Sequence, residues 1–157
     1  MRACFYDTWA FLALANARDT GHDVAQAADQ ALERAGFISV TSDYILDETL
    51  TALHVHAGAH VALKFLSVFD AQVLAEEMVL LELTSLRRDR ALREFRKLAP
   101  RIPRLSFTDC TSFTLMRELD IRVAFTADRH FLRAGPRLRP LLTLVEGELC
   151  FRLPEGG

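Results

Sequence analysis

The sequence is short of the features that mark several large protein classes. It has no run of about 18 apolar residues, so no membrane-spanning helix is expected. Cysteine is scarce: Cys4, Cys110 and Cys150 are odd in number and stand at no metal-ligand spacing, which excludes a disulfide framework and a zinc ribbon. Three such thiols suit the reducing cytoplasm. Lysine is nearly missing, with only Lys64 and Lys97 among 19 basic residues. There is no internal repeat, low-complexity block or Pro/Gly-rich linker, so nothing calls for a second domain. The opening MRACFYDTWAFLAL has an early Arg and an apolar stretch, but Asp7 interrupts it and no small-residue cleavage pattern follows. It reads as a strand entering a helix rather than a signal peptide.

What is present is enough for a substantial core: 157 residues, half of them hydrophobic. The net charge of −2 conceals an asymmetry. Through Leu86 there are 4 basic and 12 acidic residues, and from Arg87 onward 15 basic and 9 acidic. Arg pairs with phosphate through a planar fork and stacks on bases, so an Arg-rich half is compatible with a nucleic-acid face. A codon bias favouring Arg over Lys accounts for the same composition.

Along the chain, Ala3 to Tyr6 reads as a first strand, and the apolar run from Trp9 continues helically to about Arg18. A second helix spans about Asp23 to Ala35, with Gly36 as its cap, and Phe37 to Thr41 forms strand two. Ser42 or Asp43 then caps a third helix carrying Ile45, Leu46, Thr49, Leu50 and Leu53 on one stripe. Gly58 divides it from a helix over 59–69, and a third strand falls within 73–83. Thr84 or Ser85 opens a helix that ends before Pro100. The run Ser106-Phe107-Thr108-Asp109 starts another, Ile121 to Thr126 is a buried strand, and Leu141 to Val145 is the last strand. Strands alternating with helices imply an α/β fold in three layers, a mostly parallel five-stranded sheet between helices. One domain is expected over 1–150, with 151–157 as a frayed tail.

Asp7 and Asp128 follow strands, and Asp109 sits at a helix start. Singly, each is explained as a helix cap. Together, in a parallel sheet, such positions converge on one edge, and converging carboxylates repel unless protonated or neutralised by a cation. Mg²⁺ takes oxygen ligands from a few carboxylates and keeps waters for a phosphate substrate. The third helix offers Asp43, Asp47 and Glu48; Glu48 flanks the apolar stripe on one side and the two Asp residues flank it on the other, so spacing alone leaves the choice open.

Four segments carry a resemblance: Phe5-Tyr6-Asp7-Thr8, Ile45-Leu46-Asp47-Glu48-Thr49, Phe107 to Phe113 and Phe125-Thr126-Ala127-Asp128-Arg129-His130-Phe131. In this order, over nearly the whole chain, they resemble the PIN-domain family, above all the toxin nucleases of bacterial type II toxin–antitoxin pairs. The resemblance implies a sheet of order 3-2-1-4-5. It also implies metal-dependent cleavage of single-stranded RNA and an acidic Mg²⁺ or Mn²⁺ cluster of Asp7, Glu48, Asp109 and Asp128. Thr126 and Thr8 would add hydroxyls near the site. A small antitoxin partner and a homodimer are implied as well, without a membrane and in the cytoplasm. Trp9 departs from the family pattern, standing where a small hydroxyl residue often follows; it is read as core.

Arg129, His130 and Arg133 follow Asp128 and are candidate phosphate contacts; the alternative is a solvated helix start. Arg87, Arg88, Arg90, Arg93, Arg96 and Lys97 would track an RNA backbone, face solvent or meet an antitoxin. His56 and His60 have a zinc-like spacing but no third ligand, and Cys110 is read as a small buried residue. A phosphoacceptor receiver domain lacks its late-strand Lys here, and a haloacid-dehalogenase-like phosphatase lacks its second Asp at Trp9. A non-catalytic PIN-like binding module, or an RNA-processing nuclease outside any toxin–antitoxin pair, is the alternative function.

Overall fold

A computed structural model describes residues 2–135 and 137–154. In chain order the elements are β1 (Ala3–Tyr6), α1 (Thr8–Ala15), α2 (His22–Arg34), β2 (Ile38–Ser42), α3 (Asp43–Ala57), α4 (Ala59–Leu74) and β3 (Met78–Leu81). Then follow α5 (Ser85–Leu98), α6 (Phe107–Glu118), β4 (Val123–Phe125), α7 (His130–Ala134), β5 (Arg139–Pro140), β6 (Leu142–Val145) and β7 (Glu148–Phe151). The first five strands form one sheet of order β3-β2-β1-β4-β5, parallel throughout, with helices flanking it. The three-layer fold and strand order expected from the sequence are those observed.

This order has a consequence for the site. The chain steps from β1 outward to β2 and β3, then returns to β4 on the other side of β1. The winding direction reverses between β1 and β4, and there the loops leaving the two strands diverge and open a crevice. Asp7 follows β1 directly, its N–H bonded to the Phe125 carbonyl at the end of β4 (3.3 Å). Asp128 lies in the loop after β4. The strand ends are held in register by Cys4, Phe5 and Tyr6 pairing with Val123, Ala124 and Phe125.

Phe5, Phe113, Phe125 and Phe131 are fully buried. Phe113 meets Phe131 edge-on at 5.0 Å between ring centroids, and Tyr6 meets Phe125 likewise at 5.0 Å. Trp9 packs on this core as expected, against Phe125 and against Gly21, where an added Cβ would stand 2.8 Å from the indole.

The carboxyl-terminal end differs from expectation. The fifth sheet strand is the short Arg139–Pro140 pair, and Leu142–Val145 instead forms an antiparallel hairpin with β7. The apolar run Leu141 to Val145 signals a strand but not its partner. Only Leu141 and Leu142 of that run are buried, whereas Leu144 and Val145 stand more than half exposed. Phe151 belongs to β7 and, with Leu153, packs against the core, so the tail begins later than position 151; residues 155–157 lie outside those described.

Candidate active site

The acids reach the crevice on elements built locally to hold them. Asp109 is the third residue of α6, whose cap is Ser106. The Asp109 N–H donates to Ser106 Oγ (2.9 Å) and the Ser106 N–H donates to Asp109 Oδ2 (3.0 Å), a reciprocal capping box. Asp128 folds its loop by accepting the His130 N–H on Oδ1 (2.8 Å), while its own N–H donates to Thr126 Oγ1 (3.0 Å). The Thr126 hydroxyl donates onward to Asp7 Oδ2 (2.7 Å). One threonine therefore joins the carboxylate after β1 to the loop that carries the carboxylate after β4.

Asp109, Asp128 and His130 each offer a ligand atom within 4.8 Å of the others. His130 Nδ1 is 3.1 Å from Asp109 Oδ2 and 3.4 Å from Asp128 Oδ2. Donors held about 2.0–2.6 Å from one cation lie at such separations from one another, so the set fits a divalent ion. Asp7 lies outside that trio but feels it. Burial pushes its carboxyl up to about 7, the Thr126 hydroxyl opposes the rise, and the charges of Asp109 and Asp128 add to it. Asp109 is also raised, chiefly by burial; the Ser106 N–H opposes this, Asp128 adds to it and His130 counteracts it. Buried carboxylates that resist ionising beside one another are what a cation would relieve.

The three acids of α3 take different places. Asp43 is structural, taking the Leu83 N–H (3.0 Å to Oδ2) and the Tyr44 N–H (2.9 Å), which ties the end of β3 to the start of α3. Asp47 is exposed. Glu48 faces α1 and accepts the Thr8 hydroxyl on Oε2, one residue beyond Asp7. The four acids thus fall into a nested arrangement: Asp109 and Asp128 together, Asp7 coupled through Thr126, and Glu48 reaching the same end of β1 through Thr8.

The expected phosphate contacts divide. Arg129 is exposed. Arg133 donates from Nη2 to the Arg101 carbonyl (2.8 Å), tying α7 to the turn before α6. His130 turns inward onto the carboxylates rather than outward. The sequence offered no sign of this, because the spacing Asp-x-His fits a solvated helix start equally well. On α5, Arg87 and Arg90 are both paired with Glu118, at 2.7 and 3.2 Å, whereas Arg88, Arg93, Arg96 and Lys97 are exposed. Cys110 is fully buried with its thiol raised by that burial, which suits packing and not nucleophilic attack. His56 and His60 are exposed and join no metal-like group among the described residues.

No family model matches the sequence. Over 131 residues the chain is 29% identical to the 23S rRNA-specific endonuclease VapC20 of Mycobacterium tuberculosis, covering 83% of this chain and 93% of that one. The crystal structure of the same relative, a sarcin–ricin loop cleaving toxin, superposes with a TM-score of 0.70 at 28% identity, covering 85% of this chain and 95% of that one. The chain resembles VapC20 over most of its length and shares its fold. VapBC2 from Rickettsia felis, solved bound to a promoter DNA fragment, shares the fold at a TM-score of 0.65 and 12% identity, over 87% of this chain and 95% of that one. In this shared fold Asp7 and Asp128 lie just past the ends of β1 and β4, with Asp109 at the start of α6 beside Asp128.

Proposed function

We propose that this protein is a metal-dependent endoribonuclease that cleaves single-stranded RNA, and that it acts as the toxin of a toxin–antitoxin pair. The observation that carries the reading is the convergence of Asp7, Asp109 and Asp128 at the switch point of the sheet, with Asp7 pushed up to about 7 by burial and by its acidic neighbours. The similarity to VapC20 supports the substrate class. The similarity to one chain of a VapBC2 complex supports the fold of a toxin that meets an antitoxin.

Asp109 and Asp128, with Asp7 and Glu48 around them, would hold Mg²⁺ or Mn²⁺. Such an ion, when bound, polarises the scissile phosphate and acidifies a water for in-line attack. The chain's own residues do the rest. Thr126 fixes the Asp7 carboxylate and the Asp128 loop with one hydroxyl, and Thr8 does the same for Glu48. Arg129, exposed beside Asp128, would receive a phosphate of the incoming strand. The nuclease domain runs on through β7 rather than stopping at residue 150, and works in the cytoplasm. Among the described residues no helix is long and apolar enough to cross a membrane.

A homodimer forms part of this reading. The α4 helix presents Leu63, Val68 and Leu74 at 66%, 51% and 87% exposure, and α3 adds Val55 at 66%. The α2 helix adds nothing to this surface: its Ala25, Ala28 and Leu32 are buried, and it shows no exposed large hydrophobic residue among those described.

The test is incubation of the purified protein with single-stranded RNA in Mg²⁺, in Mn²⁺ and in EDTA. Cleavage that requires a divalent ion and disappears in Asp109→Asn is the expected result. An intact substrate under all conditions would leave the non-catalytic binding module as the better reading.

A further inference from the structure

The donor trio includes an imidazole, and a purely acidic centre has no use for one. We propose that His130 Nδ1 is a direct ligand of the bound divalent cation, completing with Asp109 and Asp128 a two-carboxylate, one-imidazole set that favours a transition metal over Mg²⁺. The proposal rests on the nuclease reading only in taking a divalent cation as resident at this site.

Three features of the local structure hold the ring in place. The His130 N–H is bonded to Asp128 Oδ1 at 2.8 Å, which fixes the turn and leaves Asp128 Oδ2 facing the imidazole at 3.4 Å. The next residue, Phe131, is fully buried edge-on against Phe113 on α6, so the start of α7 is anchored to the helix that carries Asp109. Asp109 is itself locked by its capping box. The three donors thus sit on two elements pinned to each other, with separations set by packing and not by flexible side chains. The His130 side chain is 21% exposed and those of Asp109 and Asp128 are 12% and 35% exposed, which leaves an opening on the Asp128 side for water or substrate.

The chemistry follows from the donor atoms. Mg²⁺ takes near-octahedral oxygen coordination and sheds water reluctantly, whereas an imidazole lone pair binds the divalent transition metals more strongly. A neutral ring with its proton on Nε2 presents Nδ1 to the ion. Exchanging one oxygen donor for nitrogen therefore raises affinity for Mn²⁺ and later metals more than for Mg²⁺.

The experiment loads the metal-free, full-length protein with Mn²⁺ and reads directly bound ¹⁴N by pulsed electron paramagnetic resonance. Wild type should show imidazole nitrogen coupling and His130→Asn should not, although His22, His54, His56 and His60 remain in the chain. The same substitution should weaken Mn²⁺ about tenfold and Mg²⁺ by less than about threefold, measured by direct and competitive titration. No nitrogen coupling in wild type overturns the proposal, as does coupling that survives the substitution or an equal loss for both ions. Should the variant fail to fold, the wild-type spectrum still decides. Nitrogen-coupled Mn²⁺ on a protein that leaves RNA intact would sink the nuclease reading and keep this one; Mn²⁺-dependent cleavage without nitrogen coupling would do the reverse.

Discussion

Asp7 is where burial and charge conflict most. Its folded-state carboxyl titrates near 7 against the ordinary value of 3.8, so between those values the folded protein holds a proton that the unfolded chain has released. Stability of the metal-free protein should therefore be greatest below about pH 4 as far as this group is concerned, and should fall as pH rises toward 7. Asp7→Asn removes the charge and keeps the shape. At neutral pH, without metal, it should stabilise the fold by on the order of 1–3 kcal/mol and flatten that pH dependence. It should also abolish RNA cleavage. Thermal melts from pH 4 to 8, run with a cleavage assay, check both halves; a variant with unchanged stability and full activity would mean that Asp7 is only a helix cap. Thr126→Val acts on the same carboxylate. It deletes the hydroxyl that holds Asp7 and the Asp128 loop, so cleavage should drop by roughly 10- to 100-fold while the near-isosteric side chain keeps the fold. Single-turnover cleavage by a variant whose circular dichroism matches wild type would measure it.

Elements are joined at this end of the sheet by a few polar residues placed at helix starts. Asp43 ties β3 to α3 through backbone N–H groups, so Asp43→Ala should cost about 1–3 kcal/mol by leaving half-buried donors without partners. The exposed Asp47→Ala, one turn along α3, should cost almost nothing. Chemical denaturation of the pair separates the structural acid from the solvated one, and equal midpoints would refute the tether. The approach of α1 to the start of α2 is governed by size at Gly21. A methyl group there meets the Trp9 ring at 2.8 Å, and Trp9 is backed by Phe125. Gly21→Ala should destabilise by about 1–3 kcal/mol, and Trp9→Phe, by making room, should restore part of the loss in the double variant.

The whole molecule presents an apolar strip on α3 and α4 at one end of the winding and an Arg-rich half at the other end of the chain. A strip containing Leu63 and Leu74, both more than half exposed, is costly to leave in water, and a second copy of the chain would cover it. Sedimentation at micromolar concentration should return a dimer, and Leu63→Glu with Leu74→Glu should return a folded monomer. A wild-type monomer would count against it.

Much of this is legible in the residues alone. Hydrophobic periodicity marks the helices because a buried face must recur every three to four residues, and β-branched or aromatic runs mark β1, β2 and β4. Ser106, Ser42 and Thr84 announce helix starts because their side chains do satisfy free amides there. These are local rules, and a local sequence can state them. The order of the five strands came from resemblance to a family, since no single stretch encodes which strand lies beside which. Three matters needed the tertiary structure. Leu142–Val145 pairs with β7 because the sheet edge beside β4 is already occupied by Arg139–Pro140. Glu48 and not Asp47 approaches the site because the packing of α3 on α1 fixes the helix rotation. His130 faces inward because Phe131 is pinned to Phe113, far away in sequence. Each depends on where one element comes to rest against another, and that position is set by the core as a whole rather than by the residues that report it.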